Sequence, residues 1–427
     1  MRIDSSIIET IKAKADIAEV IGDYVSLTKR GQNHIGLCPF HSDTTPSLTV
    51  NSAKGIYKCF ACSTSGDVFT FLQEHLKISF QEAVKMVADK YGIEIPQTPA
   101  SPSDDANQRK RESMLIINDY AQNFFAENLF AETEEAQTAL AYIISRWPKE
   151  FIRSFGIGYA SNRWDSFATW AKSKGLSNDL LLEVGLVKQH KDGGGVYDAF
   201  RGRIMIPIRD KQKRIIAFTA RLVPGIVEEG KYAPKYINSP TSIIYDKSSS
   251  IFGIDVARMV AAKLGEMNLV EGASDVMRFQ IIGVPNTIAP LGSSWTETQM
   301  SSLKRLTTKL NIIPDSDVPK DENQFGAGFV NAMCTGRMAL PLGFTVTIQE
   351  IPFSDKKNDP DSYLSSKEKL DDLTKQDFVM WYANKLIGIV GNNVPQQAKA
   401  IHEVVDVVKS IPDKVLQESY TDKLTNA

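Results

Sequence analysis

Two pairs of metal-binding residues near the amino terminus constrain this sequence more than any other feature. Cys38 and His41 are separated by two residues, as are Cys59 and Cys62, and 17 residues lie between the pairs. Three thiolates and one imidazole in two such knuckles form a closed tetrahedral ligand set for zinc. Because the protein fills all four ligand positions, the pattern predicts one structural Zn²⁺ ion rather than a catalytic one.

Short segments of β type surround these ligands, namely HIGLCPF, SLTVNS and GIYKCFA, which favours a zinc ribbon over a helical finger. The chain has only four cysteines and no secretory signal, which indicates a reducing cytoplasm. A redox pair at Cys59 and Cys62 is one alternative, but it lacks a βαβ context and leaves Cys38 and His41 unexplained. Unrelated buried thiols are a weaker alternative.

Aromatic and basic residues alternate with the zinc ligands: Phe40, Tyr57, Lys58 and Phe60. Such mixtures stack on bases and neutralise phosphates of single-stranded nucleic acid. Aromatic residues in a small ribbon also form its core, and the sequence leaves both interpretations open.

The length of 427 residues predicts about two to four domains. Composition changes abruptly at residues 96–113, where three prolines, serines and charged residues predict a flexible linker. Residues 1–95 are therefore expected to form a separate zinc-ribbon domain. The expected boundaries of the rest are 114–262 for a basic α/β part, 263–352 for a part with a parallel sheet, and 353–427 for a loop and helical carboxyl-terminal segment.

A cationic stripe between Arg201 and Arg221 stands out in a chain whose net charge is −2. It contains seven Lys and Arg residues and one acid, Asp210, and two predicted strands near 203–208 and 214–220 flank a polar turn. The stripe would suit template phosphates and nucleoside triphosphates. A solvated hairpin face explains the same residues equally well.

Acidic residues follow three of the strands predicted after residue 266. Those strands alternate with helix-length segments, which predicts a parallel sheet whose ligands lie beyond the carboxyl ends of the strands. The acids at that edge are Glu271, Asp315, Asp317, Asp359 and Asp361. Such a group repels itself unless cations intervene, so it predicts two or more Mg²⁺ or Mn²⁺ ions that activate a 3′-hydroxyl and stabilise pyrophosphate. Asp359 or Asp361 taken singly could equally be a helix cap.

These motifs resemble, in order, those of bacterial DnaG-type DNA primases. LCPFHSDTTPSLTV and YKCFACSTSGDVFTFL are similar to the primase zinc-binding domain. FGIGYA, FRGRIMIPIRD, FTARLV and PKYINSP are similar to the amino-terminal half of the polymerase core. EGASD and DSD resemble the Toprim domain, which topoisomerases and some nucleases share. The resemblance extends from residue 1 to about residue 420.

The resemblance implies an α+β multidomain protein with an amino-terminal zinc ribbon, a mixed α/β subdomain, an α/β Toprim subdomain around a central parallel sheet, and a helical segment. It implies a DNA primase, a DNA-directed RNA polymerase that makes short RNA primers from ribonucleoside triphosphates on single-stranded DNA. Glu271, Asp315 and Asp317 would be catalytic. The residues implied to contact nucleotide or template are Arg146, Arg221, Lys235, Asn238, Lys247 and Asp275.

The sequence departs from the family pattern at three places. Ser63-Thr64-Ser65 replaces a glycine-rich segment, Trp147 follows Arg146 where the family commonly has glycine, and Ser316 with several further residues precedes Gly326. The last departure predicts a reshaped rim around the acids. Family members continue into a helicase-docking domain that this sequence does not contain, so helicase binding is expected to be lost, supplied by other surfaces, or provided by a replicative helicase in trans.

Two other functions are compatible with parts of the pattern. A Toprim-type nuclease or topoisomerase would use the same acids, but topoisomerases also need an active tyrosine from another domain. A non-catalytic DNA-repair clamp pairs a zinc finger with a Toprim domain, but such proteins are shorter and lack the basic middle. Cys334, in a predicted helix, is expected to be a small buried residue.

Overall fold

The computed structural model describes residues 3, 5–41, 43–62, 64–76, 78, 80–95, 102–191, 193–226, 234–317, 325–353, 358–391 and 393–425. The chain divides into two compact units, Met1–Asn107 and Gln108–Ala427. The division falls inside the segment predicted as a linker. Each unit has its own hydrophobic core.

The first unit is a five-stranded antiparallel sheet with four helices. The strands pair in chain order and are β1 Thr28–Arg30, β2 Asn33–Gly36, β3 Leu48–Asn51, β4 Ile56–Cys59 and β5 Ser65–Gly66. The helices are α1 Ser5–Lys14, α2 Ile17–Gly22, α3 Val68–Leu76 and α4 Phe80–Lys90. This arrangement confirms the predicted zinc ribbon.

Alternation of side chains along the ribbon strands creates the core of the first unit. Leu48 and Val50 of β3 and Tyr57 of β4 point to one face and are fully buried, as the period of two in a strand requires. The helices bury their apolar faces against them, with Phe71 of α3 beside Tyr57.

The second unit begins with helices α5 Pro102–Leu129, α6 Glu134–Ile144, α7 Lys149–Phe155, α8 Ser166–Ser173 and α9 Asn178–Glu183. Its later helices are α10 Ile254–Leu264, α11 Ala273–Ile281, α12 Glu297–Leu303, α13 Ala327–Ala339, α14 Pro360–Tyr363, α15 Lys367–Asp371, α16 Phe378–Val390, α17 Val394–Ser410 and α18 Lys414–Thr425.

Strands β6 Gly158–Ala160, β9 Arg203–Arg209, β10 Ile215–Leu222 and β11 Tyr236–Asn238 form an antiparallel sheet in the order β11-β10-β9-β6. Strands β7 Val187–Gln189 and β8 Val196–Asp198 form a separate hairpin. The two strands predicted in the cationic stripe are therefore confirmed as neighbours.

A six-stranded sheet forms the centre of the second unit. Its strands are β12 Ile251–Phe252, β13 Glu266–Leu269, β14 Thr287–Pro290, β15 Lys309–Ile312, β16 Thr345–Gln349 and β17 Lys375–Asp377, in the order β12-β14-β13-β15-β16-β17. The four inner strands run parallel, as predicted, and the two edge strands run antiparallel to their neighbours.

Both faces of this central sheet are covered. Leu269 and Ile312 belong to one buried cluster, whereas the next residues, Val270 and Ile313, belong to another on the opposite face. Parallel sheets are stable only when helices shield both faces, and the nearly continuous apolar runs of these strands satisfy that requirement.

Buried amides cross the sheet from strand to strand. The Asn311 side chain donates to Oδ1 of Asn268 and to Oε1 of Gln349, each at 3.0 Å, and its own Oδ1 accepts from the Thr347 hydroxyl at 3.0 Å. Asn268 donates in turn to the Thr287 hydroxyl at 3.3 Å. These side chains connect all four parallel strands, and we call them the amide ladder.

Three expectations were wrong in part. Residues 102–113, predicted as linker, belong to α5, because Gln, Arg, Lys and Glu in that stretch are good helix formers despite its polarity; residues 96–101 lie outside the described residues. The segment TETQMSSLKRLTTKL, residues 296–310, predicts one helix that begins with a capping box of Thr296 and Gln299; the capping box is present, but the helix ends at Leu303. Cys334 is exposed, because its side chain lies on the outer face of α13. Among the described helices, none combines the length and apolar content needed to cross a bilayer.

Candidate metal centres

The structure brings the four predicted zinc ligands together. One donor atom from each of Cys38, His41, Cys59 and Cys62 lies within 4.8 Å of the others. Cys38 and Cys59 are buried, and Nδ1 of His41 is also buried, with no hydrogen-bond partner among the described residues. A buried imidazole nitrogen without a donor or acceptor suits a metal ligand. The residues therefore fit zinc, and the four-ligand prediction is confirmed as a zinc-binding site.

Asp43 and Ser47, which were not predicted from the sequence, support the zinc ligands. The Asp43 carboxylate accepts from the Cys38 amide at 2.8 Å and from the Ser47 hydroxyl at 2.5 Å, and it lies 3.7 Å from Nε2 of His41. The Ser47 bond and the Cys38 amide lower the pKa of Asp43 to about 2. Metal-binding histidines commonly pair with such a carboxylate. The signal available in the sequence was the position of Asp43, two residues after the ligand His41.

Backbone amides stabilise the Cys59 thiolate. Burial acts to raise the pKa of Cys59, but amides of Cys62 and Ala61 and the Ser47 hydroxyl lower it to about 6. Both amides lie 3.4 Å from Sγ of Cys59. A thiol of lowered pKa is a ready zinc ligand near neutral pH.

The aromatic residues of the ribbon divide between core and surface. Tyr57 is buried and its ring stacks on Phe40 with centroids 5.9 Å apart, so these two belong to the core. Phe60 is 71% exposed, and the Lys58 ammonium lies 5.5 Å from its ring centre. Only the Lys58–Phe60 pair retains the surface position that contact with a base requires.

Glu271 and Asp315 meet at the carboxyl end of the central sheet. Glu271 follows β13 and Asp315 follows β15, and these strands are parallel neighbours. Oε1 of Glu271 accepts from the Asp315 amide at 3.1 Å, and its Oε2 accepts from the Asn331 side chain at 3.3 Å. The structure thus brings together two of the predicted catalytic acids.

Asp317 joins the same rim through the start of α13. Its Oδ2 accepts from the Gly328 amide at 2.9 Å. A Cβ at Gly328 would lie 2.3 Å from the Asp315 carbonyl oxygen and 2.8 Å from Oε1 of Glu271. Glycine is therefore required where α13 passes the acids. Residues 318–324, within the departure from the family pattern, lie outside the described residues.

The carboxyl edge borders the departure from the family pattern that begins at Ser316, and the reshaped rim stays a prediction. A pocket of about 570 Å³ opens beside Asp315 and Asp317. Phe325 and Phe329 line it, with their rings stacked 4.0 Å apart.

Asp275 lies beneath the acidic rim. It is only 4% exposed, and its Oδ2 accepts from the Gly272 amide at 3.0 Å. Burial, followed by the nearby charges of Asp315, Asp359 and Asp361, raises the pKa of Asp275 well above its usual value. Like charges at short range have this effect when no cation separates them.

Asp359 caps α14 and faces the same cluster. Its Oδ1 accepts from the Ser362 amide at 2.8 Å. Burial acts to raise its pKa, but the Ser362 bonds and the charges of Arg146 and Lys235 keep the pKa of Asp359 below its usual value. Asp359 is thus an ionised carboxylate near the rim.

Asp361 does not have the environment predicted for a magnesium ligand. It is 3% exposed, its carboxylate is paired with Arg146, and Trp147 donates to it at 3.0 Å. Arg278 adds a further bond at 3.1 Å. Two arginines already compensate this charge, which sets Asp361 apart from the other acids predicted to bind magnesium. The sequence did not reveal the pairing because the partners are more than 80 positions away.

The residues predicted to contact nucleotide or template differ in accessibility. Arg221 is buried between the Tyr142 hydroxyl, at 2.6 Å, and that of Tyr236. Asn238 is half-buried and donates to the Leu291 carbonyl at 2.8 Å. Lys235 and Lys247 are exposed.

The cationic stripe is not one continuous surface. Arg203 and Arg221 are buried, and Arg214 pairs with Asp210. Arg201 lies with its guanidinium 3.5 Å from the centre of the Trp164 ring, which is exposed. The Arg201–Trp164 stack is therefore the part of the stripe that retains a cation beside an accessible aromatic ring.

Comparison with known proteins agrees with this architecture. Residues 3–102 match the family model of the CHC2 zinc finger, and residues 124–258 match that of the amino-terminal domain of the DNA primase catalytic core. The DNA primase of Staphylococcus aureus is 34% identical over 367 residues, which cover 85% of this chain. The chain is a homologue of the bacterial DNA primases. It spans 58% of the length of that relative.

Solved primase structures share the fold of this primase homologue. The Aquifex aeolicus primase, with its zinc-binding and RNA polymerase domains, is 29% identical with a TM-score of 0.58, and the match covers 97% of this chain and 95% of that one. A DnaG primase catalytic domain bound to single-stranded DNA is 25% identical with a TM-score of 0.60, covering 75% and 100% respectively. The fold class predicted from the sequence is therefore confirmed.

Proposed function

We propose that this primase homologue is itself a DNA primase, which joins ribonucleotides into short RNA primers on single-stranded DNA. The observation that carries the proposal is the contact between Glu271 and the loop of Asp315 across two parallel strands, with Asp317 held beside them. Acids at this edge of a parallel sheet are suited to reactions of phosphate groups that need divalent metal ions.

The acids proposed to hold Mg²⁺ or Mn²⁺ are Glu271, Asp315, Asp317 and Asp359. All donate through oxygen, which these hard cations prefer. Burial and then the nearby carboxylates of Asp315, Asp359 and Asp361 raise the pKa of Asp275, in keeping with negative charge gathered at this edge. Among the described residues these acids do not form a group close enough to hold one ion as they stand, so cation binding would draw them together. When bound, such ions supply activation of the 3′-hydroxyl and charge neutralisation at the phosphates.

The chain's own residues would fix the reacting groups in place. The Gly328 amide and the Asn331 side chain hold the carboxylates of Asp317 and Glu271, which limits their rearrangement during the reaction. Exposed Lys235 and Lys247 are proposed to contact the triphosphate and the template backbone, and Arg221 to order the neighbouring tyrosines.

Single-stranded DNA is the proposed template. A similar catalytic domain is known bound to single-stranded DNA. In this chain, the Arg201–Trp164 stack and the Lys58–Phe60 pair each combine a cation with an exposed ring, the pairing that stacks bases and neutralises phosphates. Both substrates, DNA and ribonucleoside triphosphates, are cytoplasmic in bacteria, which places the proposed activity there.

A primer-synthesis assay tests the proposal. The wild-type protein, incubated with single-stranded DNA, labelled ribonucleoside triphosphates and Mg²⁺, should yield short labelled RNA that a chelator abolishes. Asp315→Ala should lower the rate about a hundred-fold or more while template binding persists, because only charge stabilisation at the metals is lost. Asp371→Ala, an exposed acid at the end of α15, is the matched control. Breaks in the DNA would instead indicate a nuclease, and DNA retention without synthesis a clamp.

A further inference from the structure

The carboxylate of Asp361 is enclosed by three donors from two separate parts of the chain. Arg146 and Trp147 follow α6, and Arg278 lies on α11. A carboxylate has about four acceptor positions, and these three donors occupy most of them. Asp361 therefore has little remaining capacity for a metal ion.

Arg278 connects more than one segment. Besides the Asp361 carboxylate, its guanidinium donates to the Asp361 carbonyl at 3.0 Å and to the Arg146 carbonyl at 2.7 Å. The planar fork of an arginine can make these contacts together, whereas the single ammonium of a lysine cannot. Arg278 thus joins α11, the turn after α6 and the loop that contains Asp359.

The position of Asp361 determines the position of Asp359. The Asp361 amide donates to Oδ1 of Asp275 at 3.2 Å, and the intervening residue, Pro360, is buried. Asp359 begins the same short helix α14. Asp359 is only two residues from Asp361 along the backbone, so it cannot move independently of Asp361. The donors that hold Asp361 therefore set the position of the Asp359 carboxylate.

Trp147 is one of the departures from the family pattern found in the sequence. Its ring is 1% exposed and its Nε1 donates to Asp361. A glycine at this position could not supply that donor. Trp147, which departs from the family pattern, and Arg278 therefore donate to the same carboxylate.

We propose that Arg278 and Trp147 are positioning residues, which hold the Asp359 loop against the acidic rim through Asp361. The inference rests on the proposed function, because it concerns the metal ions of that site. Asp361 acts as the anchor of the loop and not as a metal ligand.

The sign of the effect on metal affinity distinguishes positioning from simple electrostatics. Arg278 is a cation near the acidic rim, so its repulsion alone would weaken the binding of Mn²⁺, and its removal would strengthen it. Loss of a positioning contact has the opposite effect, because the ligand loop is no longer held in place. Loss of outer partners of this kind typically lowers metal affinity about 10- to 100-fold.

Titration of the full chain with Mn²⁺, followed by electron paramagnetic resonance, tests the inference. The signal of interest is the bound Mn²⁺ that Asp315→Ala abolishes. Arg278→Met and Arg278→Lys should each weaken this binding about ten-fold or more, and Trp147→Phe should weaken it several-fold without any change of charge. Arg337→Lys, an exposed arginine on α13, should leave the affinity unchanged. Thermal unfolding of each variant shows that it is folded.

The possible outcomes distinguish a failure of the proposed function from a failure of the positioning role alone. If the wild-type protein binds no Mn²⁺ that depends on Asp315, the proposed function itself is overturned. If wild-type binding is present and Arg278→Met or Arg278→Lys binds Mn²⁺ as tightly or more tightly, only the positioning role is overturned. If Arg278→Met does not fold, Arg278→Lys and Trp147→Phe decide the question, because the first keeps a long cationic side chain and the second keeps a buried aromatic ring.

Discussion

At the scale of single residues, buried carboxylates show how position determines charge. Asp198 caps α8 by accepting from the amides of Phe167 and Ala168, each at 2.8 Å, and is 4% exposed. Burial, which outweighs these two bonds, raises the pKa of Asp198 from 3.8 to about 6. The folded protein therefore retains a proton there after the unfolded chain has lost it.

Replacement of Asp198 should change how stability depends on pH. Because the folded state binds the extra proton, the stability contributed by this group is complete below pH 4 and lost as pH rises through 6. The loss is about 3 kcal/mol for a pKa difference of this size. Urea unfolding at pH 4.5 and pH 7, monitored by tryptophan fluorescence, should show a smaller fall for Asp198→Asn. An equal fall in both proteins would contradict the assignment.

Glycines in two helices should respond oppositely to the same substitution. Gly328→Ala places a Cβ against the Asp315 carbonyl and the Glu271 carboxylate, so it should displace the rim and weaken Mn²⁺ binding. Gly388 in α16 has open space around it, and Gly388→Ala should stabilise the protein by about 0.5–1 kcal/mol. Thermal unfolding and Mn²⁺ titration of both variants provide the check. Unchanged Mn²⁺ affinity in Gly328→Ala would show that the close approach has no influence on the site.

Residue roles were predictable where the signal is local in sequence. The zinc ligands follow from two short spacings, and Glu271 follows a strand directly. Asp359 and Asp361 looked equivalent, since both are acids in one loop. Only the folded chain brings Arg278 and Arg146 to Asp361, and no periodicity or spacing encodes that encounter.

At the scale of elements, the amide ladder specifies strand register. A slip of one residue would turn these side chains to the opposite face and leave buried amides without partners. Asn311 is central, with contacts to Asn268, Gln349 and Thr347.

Removal of the central amide should be costly. Asn311→Leu leaves the Asn268 and Gln349 oxygens without their donor, and each buried polar group left unsatisfied costs about 1–3 kcal/mol. We expect a loss of roughly 2–4 kcal/mol in the free energy of unfolding, measured in urea. Asn178→Leu, an exposed position at the start of α9, should change stability by less than about 0.5 kcal/mol. A neutral or stabilising effect of Asn311→Leu would mean that the ladder contributes no stability.

Element types followed from the sequence more readily than element limits. The apolar strands β13 to β16 and the Thr296 capping box were predicted correctly. The polar start of α5 was predicted to be a linker, because a polar composition indicates solvent exposure but says little about helix propensity. The antiparallel strand β17, KQD, contains no apolar residue, so no periodic pattern marks it, and only its pairing with β16 in the folded chain identifies it.

At the scale of the whole molecule, the first unit, with the zinc ribbon, and the second unit have separate cores. All five tryptophans lie in the second unit, whereas the zinc ligands lie in the first. Tryptophan fluorescence therefore reports the second unit without a contribution from the ribbon.

Zinc removal should unfold only the first unit. A chelator, or the variant Cys59→Ser, should release zinc to a colorimetric indicator and reduce the β signal in circular dichroism, because metal binding supplies folding free energy to small ribbons. The midpoint of the tryptophan transition should stay constant. Cys334→Ser, which removes the exposed thiol of α13, should keep its zinc. A shift of the tryptophan midpoint on zinc loss would show that the two units do not fold independently.

The two glycines at the start of α13 have a consequence for sequence variation. A Cβ at Gly326 would lie 2.6 Å from the Asp317 carbonyl, and Gly328 approaches Asp315 as closely. The two ends of the stretch between Asp317 and Gly326 therefore lie in close backbone contact. The positions of the two ends of that stretch affect the acids, whereas the number of residues between the ends does not. Insertions there are a natural way to build new selectivity beside the proposed metal site, and a reporter peptide inserted there would lie close enough to detect the proposed ion binding.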